Sequence, residues 1–190
     1  MYGGSLITTL LYLNDLKQLG YLIDSKSELL NSATIITGDM AVSFELERKK
    51  IFFIDLWIFL NSKDIKRSQD IAQHIYKSSF SRFKGYQENR SYNFSNTMQN
   101  DLIFPLEAMF NASTVYRKIF RKYKVKNIYG FFDKPIALIR TGPAPNIKIA
   151  NHISEGVLFF LANENKIKIN TLKYQRSKIN VLNIIKSYFL

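Results

Sequence analysis

Three aspartates follow or interrupt short apolar runs in this chain, at positions suited to general acid–base chemistry. Asp39 comes after "ATIIT" and a glycine, Asp133 ends "NIYGFFD", and Asp55 lies inside "FFIDLW". A carboxylate beside a binding cleft can take the proton of an attacking hydroxyl group. Asp39 and Asp133 are therefore candidate catalytic bases. Gly38 and Asp55 are candidate substrate-binding residues.

Each aspartate also has a purely structural interpretation. Asp39 is a good N-cap for a following helix. Asp133 could be a loop carboxylate before Lys134 and Pro135. Asp55 could mark a strand end, because a charge inside a strand needs a partner or access to water. The residue types alone leave both interpretations open.

The segment "RTGPAP" is a candidate anion-binding turn. Arg140, Thr141 and the backbone of Gly142 could hold a phosphate or a sugar, with Asn146 capping the helix behind them. The alternative is a plain turn with two prolines. The segment is neither a Walker A nor a GxGxxG motif, since it lacks the required glycines and lysine.

A basic segment, Arg117–Lys126, carries six cations in ten residues of a chain whose net charge is +12. Such charges can simply complement the dipole at a helix end. They could also attract an anionic membrane surface, which would suit a lipid-linked substrate, or a nucleic acid. No known nucleic-acid-binding motif accompanies them, so nucleic acid is the less favoured partner.

Composition limits the other classes of site. The chain has no cysteine and only two histidines, His74 and His152, so thiolate chemistry and a histidine metal site are poorly supplied. No metal and no cofactor are expected. The run "LITTLLYL" is far shorter than a membrane span and lacks signal-peptide flanks, which predicts a cytoplasmic protein, peripheral to the membrane at most.

Hydrophobic spacing predicts the elements that must position these residues. Between two of the strands, "AVSFELE" is either a short helix, which we favour, or a strand of a hairpin. Pro105 should kink the long helix or mark its first turn. The predicted helices are Ser5–Leu19, Ser62–Phe80, one starting at Ser95 or Asn96, Asn146–Asn163 and Ser177–Leu190; the strands are Ala33–Thr37, Ile51–Trp57, Val125–Phe131, Ile136–Arg140 and Lys166–Leu172; a long loop covers Ser81–Phe94.

Apolar strands separated by helices predict an α/β fold, with a mainly parallel, Rossmann-like sheet covered by helices on both faces. Ligands of such sheets bind beyond the carboxyl ends of the strands. That edge would carry Gly38 and Asp39, Asp55, the residues Gly130–Asp133, and Arg140–Gly142.

The order of elements over residues 5–172 resembles the N-terminal half of bacterial surface-polysaccharide glycosyltransferases of the B-type fold, which build capsule or lipopolysaccharide side chains. The segments that carry the likeness are "TIITGDMAVSFELERKKIFFIDLW", "DLIFPLEAMFNAS" and "VKNIYGFFDKP".

The resemblance implies an acceptor-side Rossmann-like domain over residues 1–172, and a C-terminal helix or the start of a second domain over 173–190. It implies a nucleotide-sugar donor, held mainly by a second domain or a separate chain, and a glycan acceptor. Enzymes of this type generally need no bound metal. Sugar transfer is therefore the leading hypothesis, and a basic nucleic-acid-binding or non-catalytic interaction domain is the alternative.

Overall fold

The computed structural model describes residues 8–80, 94–132 and 147–174, and within them the chain forms a five-stranded, all-parallel sheet with helices on both faces. This is the predicted Rossmann-like α/β architecture. The strands are β1 (Thr9–Leu13), β2 (Thr34–Thr37), β3 (Phe53–Asp55), β4 (Asn127–Gly130) and β5 (Lys168–Thr171). The helices are α1 (Leu16–Ser25), α2 (Ser27–Ser32), α3 (Met40–Arg48), the 3₁₀ helix Leu56–Phe59, α4 (Ser62–Phe80), α5 (Phe94–Lys122) and α6 (Ile147–Glu164).

The strand order is β3-β2-β1-β4-β5, so the first strand of the chain lies at the centre of the sheet. On one side of β1, Tyr12 is in register with Ile36 of β2, and on the other side with Gly130 of β4. The chain moves outward from β1 in one direction and later returns to its other side. Such a reversal opens a crevice outside the carboxyl ends of the two central strands.

Both faces of the central strand are buried. Leu10 and Tyr12 pack in the cluster that includes α5 and α6, whereas Leu11 and Leu13 pack in the cluster that includes α1 and α3. All four side chains are at most 3% exposed. Alternate side chains of a strand point to opposite faces, so a strand covered on both sides needs an unbroken apolar run.

The predicted helix Ser5–Leu19 is wrong for its described part. That stretch contains strand β1 and the first residues of α1. A short apolar run fits a doubly buried strand as well as a helix face, and its periodicity cannot separate the two. Asp15 begins α1 by accepting a hydrogen bond from the Lys17 N–H at 2.7 Å.

Gly20 directly follows the predicted helix end at Leu19, but it lies inside α1. A methyl group added at this glycine would meet nothing within 4 Å. The residue therefore sits in open space, and the helix runs on to Ser25.

The favoured interpretation of "AVSFELE" as a helix is confirmed by α3, which makes β2-α3-β3 a parallel βαβ unit.

The prediction for α4 is also confirmed. Asn61 and Asp64 cap this helix reciprocally, since each side chain accepts the other residue's backbone N–H. Helix α5 continues through Pro105.

Several predictions lie outside the described residues: the loop at 81–93, the strand Ile136–Arg140 and the helix Ser177–Leu190.

Candidate functional site

A cavity of about 190 Å³ lies at the carboxyl edge of the sheet, where the chain leaves β1, β2 and β3. The strand ends and the 3₁₀ helix form one wall, and α5 and α6 form the other. The lining residues are Tyr12, Asn14, Gly38, Asp39, Leu56, Trp57 and Leu60 on the first wall, and Phe104, Glu107, Ala108, Asn111, Ala112, Val115, Tyr116 and Ser154 on the second. The cavity thus lies at the carboxyl edge where ligands of parallel sheets bind, but on the β1-β2-β3 side of the reversal, since no residue of β4 is in its described lining.

Asp39 caps a helix and also lies at the cavity. Its Oδ1 accepts the Val42 N–H at 3.0 Å, which makes it the N-cap of α3. The same residue lines the cavity. Among the described residues none hydrogen-bonds Oδ2, so the second carboxylate oxygen remains available to a ligand.

Gly38 lines the cavity beside Asp39, and its carbonyl oxygen accepts the Trp57 Nε1–H at 2.8 Å. This hydrogen bond ties the indole of the 3₁₀ helix to the end of β2. Gly38 therefore lies at the predicted edge of the sheet, and its backbone also positions the Trp57 ring in the cavity wall.

Asp55 has a structural role and does not line the cavity. Its Oδ1 accepts the Trp57 N–H at 2.8 Å and caps the 3₁₀ helix. The expectation that Asp55 lies at a strand end holds, since it is the last residue of β3.

The remaining predicted site residues, Asp133, Arg140, Thr141 and Gly142, lie outside the described part of the chain. The two residues after β4 are described. The Phe132 ring stacks on Tyr12, with centroids 6.2 Å apart, and a Cβ at Gly130 would lie 2.6 Å from the Phe132 ring. Glycine at position 130 therefore leaves room for this ring.

The sequence did not predict the polar side chains at the base of the cavity, here called its floor: Tyr12, Asn14, Tyr116 and Ser154. The Tyr116 hydroxyl hydrogen-bonds Ser154 Oγ at 2.7 Å, which joins α5 to α6. Beside them, Asn14 Nδ2 donates to Glu155, and the Asn14 amide oxygen accepts Gln18 Nε2 at 2.5 Å. Asn14 directly follows β1, so the rule for strand ends finds it once the first segment is recognised as a strand.

Burial governs the ionisation of the two tyrosines on this floor. It raises the pKa of Tyr12 to about 12, and the charge of Glu155 acts in the same direction. Burial also raises the pKa of Tyr116 well above its ordinary value. Both phenols are therefore neutral hydrogen-bonding groups at physiological pH.

These shifts predict a loss of stability in base. Below pH 10 both phenols are protonated in the folded and unfolded states, so their contribution is constant. Above about pH 10 the unfolded chain releases the protons while the folded chain retains them. The free energy of unfolding should then fall by about 1.4 kcal/mol per pH unit for each phenol, until the pH passes the folded pKa. Urea unfolding at successive pH values measures this slope.

The matched variant is Tyr116→Phe, which keeps the ring and removes one titrating group. It should reduce the slope above pH 10 by about 1.4 kcal/mol per pH unit. An unchanged slope would show that ionisation of Tyr116 does not contribute to the loss.

The basic segment Arg117–Lys126 is partly neutralised within the fold. Arg117 lies 3.5 Å from a carboxylate oxygen of Glu164, and Lys118 Nζ lies 2.5 Å from Asp64 Oδ2. Lys118 also donates to the Phe59 carbonyl oxygen at 2.8 Å. The other four cations of the segment, Arg121, Lys122, Lys124 and Lys126, are exposed.

In the part of the chain that the structure describes, no group of three or more metal-binding side chains converges on one point. No helix there combines the length and the apolar character required to cross a membrane. Comparisons with family models, with curated proteins and with solved structures find nothing that matches this chain.

Proposed function

We propose that this chain is the acceptor-side domain of a bacterial surface-polysaccharide glycosyltransferase, and that a second, donor-binding domain or chain completes it. The observation that carries the proposal is the cavity at the carboxyl edge of the sheet with Asp39 on its wall. The cavity supplies a protected site for an acceptor sugar, and Asp39 supplies the base.

The chemistry of the walls suits a sugar. Small-molecule sites combine apolar and aromatic walls with a few placed polar groups. Here Trp57 and Phe104 offer aromatic surfaces, while Asn14, Asn111 and Glu107 offer hydrogen-bonding groups. The volume of about 190 Å³ lies below the roughly 300–1,000 Å³ typical of drug-sized ligands. A site of this size fits one sugar ring better than a whole nucleotide sugar.

The proposed step is displacement at the anomeric carbon of the donor. The Asp39 carboxylate takes the proton of one acceptor hydroxyl group, whose oxygen forms the new bond to the anomeric carbon. The bond from that carbon to the donor phosphate breaks, and the nucleotide leaves with the bonding electron pair. The proton remains on Asp39 until it passes to solvent.

The test is sugar transfer in a reaction that contains this chain together with its donor-binding domain. A panel of radiolabelled nucleotide sugars is offered with free and lipid-linked saccharide acceptors, and the label in the acceptor is counted. Transfer from at least one donor supports the proposal. If no donor in the panel yields labelled acceptor, while the chain is folded and both domains are present, the proposal is rejected.

The exposed part of the basic segment supports a further element of the proposal, contact with an anionic membrane that holds the acceptor. Each lysine near an anionic surface contributes about 1 kcal/mol to binding. The double variant Lys124→Gln, Lys126→Gln should therefore bind anionic vesicles about 25-fold more weakly than the wild type. Co-sedimentation with vesicles at low and high salt measures this.

The control for vesicle binding is Lys17→Gln. Lys17 lies on α1, and α1 and α5 pack against opposite faces of the sheet. This variant should bind vesicles as the wild type does. Equal binding of the wild type to neutral and to anionic vesicles would contradict the membrane contact.

A further inference from the structure

The described cavity wall carries negative charge, although the chain as a whole is strongly basic. Asp39 and Glu107 both line the cavity, one from the strand edge and one from α5. Glu107 forms no ion pair with any residue that the structure describes. An anionic ligand would therefore meet two carboxylates in a partly desolvated space, where like charges cost several kcal/mol.

The wall also presents an unused hydrogen-bond acceptor. Asn111 lies one helical turn after Glu107 on α5, and its Oδ1 is buried without a hydrogen-bond partner among the described residues. Buried polar atoms are nearly always paired, so an orphaned amide oxygen in a cavity wall indicates a partner supplied by a ligand. That partner must donate a hydrogen bond, because a carbonyl oxygen only accepts.

No lysine or arginine is among the described lining residues. The adjoining groove shares Leu60 with the cavity and is lined by Lys118 and Lys122. Lys118 is held there by Asp64 and the Phe59 carbonyl oxygen. In its described lining the cavity thus offers carboxylate and amide oxygens to a ligand, and no lysine or arginine that could hold a phosphate or a carboxylate.

We infer that the cavity takes an acceptor sugar that bears no negative charge: a neutral or amine-bearing ring whose hydroxyl or ammonium groups donate to Asp39, Glu107 and Asn111. This inference rests on the proposed function, because it treats the cavity ligand as the acceptor. It adds the substrate class. We therefore expect uronic acids, sialic acids and the nucleotide diphosphate of the donor to bind poorly beside Asp39 and Glu107.

The fold provides its own probe for the test. Trp57 is the only tryptophan of the chain, and it lines the cavity. Its fluorescence can be titrated with three methyl glycosides of the same configuration: the neutral hexoside, the 2-amino-2-deoxy hexoside and the hexosiduronate. We expect the uronate to bind at least about tenfold more weakly than the neutral glycoside, and the amino sugar to bind as tightly or more tightly.

The variant Glu107→Gln removes one of the two wall charges and keeps the shape of the side chain. It should reduce the discrimination against the uronate to about threefold or less. Its matched control is Glu45→Gln on α3, where Glu45 is paired with Arg48 at 2.7 Å and does not line the cavity. This control should keep the full discrimination. Thermal unfolding of each variant verifies that it is folded.

The outcomes separate the inference from the proposed function. A uronate that binds as tightly as the neutral glycoside overturns the inference, and so does a nucleoside diphosphate that displaces the glycoside from the cavity. An unchanged emission of Trp57 with every glycoside overturns it as well. None of these results bears on the transfer assay, which tests the glycosyltransferase proposal by itself.

Discussion

Replacing Asp39 by asparagine should lower the rate of sugar transfer by roughly 10²–10⁴-fold, the usual contribution of a positioned general base. The stability of the fold should barely change, because asparagine caps a helix about as well as aspartate does. The amide side chain can still accept the Val42 N–H, but it cannot take a proton from the acceptor. Transfer assays and urea unfolding on the same variant measure the two effects.

Two further variants complete this experiment. Asp39→Ala removes the cap as well as the base, so it should lose about 1 kcal/mol of stability in addition to the activity. Asp55→Asn replaces the other capping aspartate, which does not line the cavity, and should retain most of the transfer rate. Full activity in Asp39→Asn would remove Asp39 from the catalytic role. Asp133→Asn in the same assay tests the second candidate base.

The second large effect is on stability. Leu11→Ala in the central strand should cost about 2–5 kcal/mol, as is usual when a fully buried leucine is truncated. Leu11 is 0% exposed and packs among residues of α1 and α3. Leu10→Ala should cost a similar amount on the opposite face. Urea denaturation of each variant gives the free energy of unfolding.

The pair of leucines distinguishes a strand from the helix that the sequence suggested. Leu6, Leu10, Leu13 and Leu16 recur at helical spacing, so a helix would bury Leu10 but not Leu11. Only the Leu10 substitution would then be costly. The surface control is Phe44→Ala on α3, whose side chain is 68% exposed and whose loss should cost no more than about 0.5 kcal/mol. A Leu11→Ala variant as stable as this control would contradict the topology.

Most of the fold follows from sequence patterns because its strands and helices differ clearly in apolar period. The βαβ unit around Asp39 needed other signals, because "AVSFELE" fits a helix or a hairpin strand; there a capping aspartate and a β-branched strand both precede α3. The prediction for the central strand was wrong because burial on both faces removes the apolar–polar alternation by which a strand is identified. The prediction also missed α2 and the 3₁₀ helix Leu56–Phe59, but the sheet class was still predicted correctly.

The sequence predicted the residues of the candidate site that lie at strand ends, but not those that lie on α5 and α6. Gly38 and Asp39 could be located because the carboxyl-edge rule needs only the strand ends. Glu107, Asn111 and Ser154 could not, because they reach the cavity through the packing of α5 and α6 against the sheet. Nothing in the local sequence shows which side of these helices faces a strand end. The same rule also selected Asp55, which does not line the cavity and whose carboxylate accepts the Trp57 N–H instead.

The central position of β1 has a consequence for how the cavity is assembled. Leu10 pairs with Thr34 nearby in the chain, but with Ile128 only after a long intervening segment. Local pairings form at lower entropic cost than distant ones, so the first three strands with α3 have the kinetic advantage. The Asp39 wall belongs to this local half, and the Glu107 wall belongs to α5, which leads into the distant strand β4. A ligand that bridges both walls therefore also fastens the two halves of the sheet together.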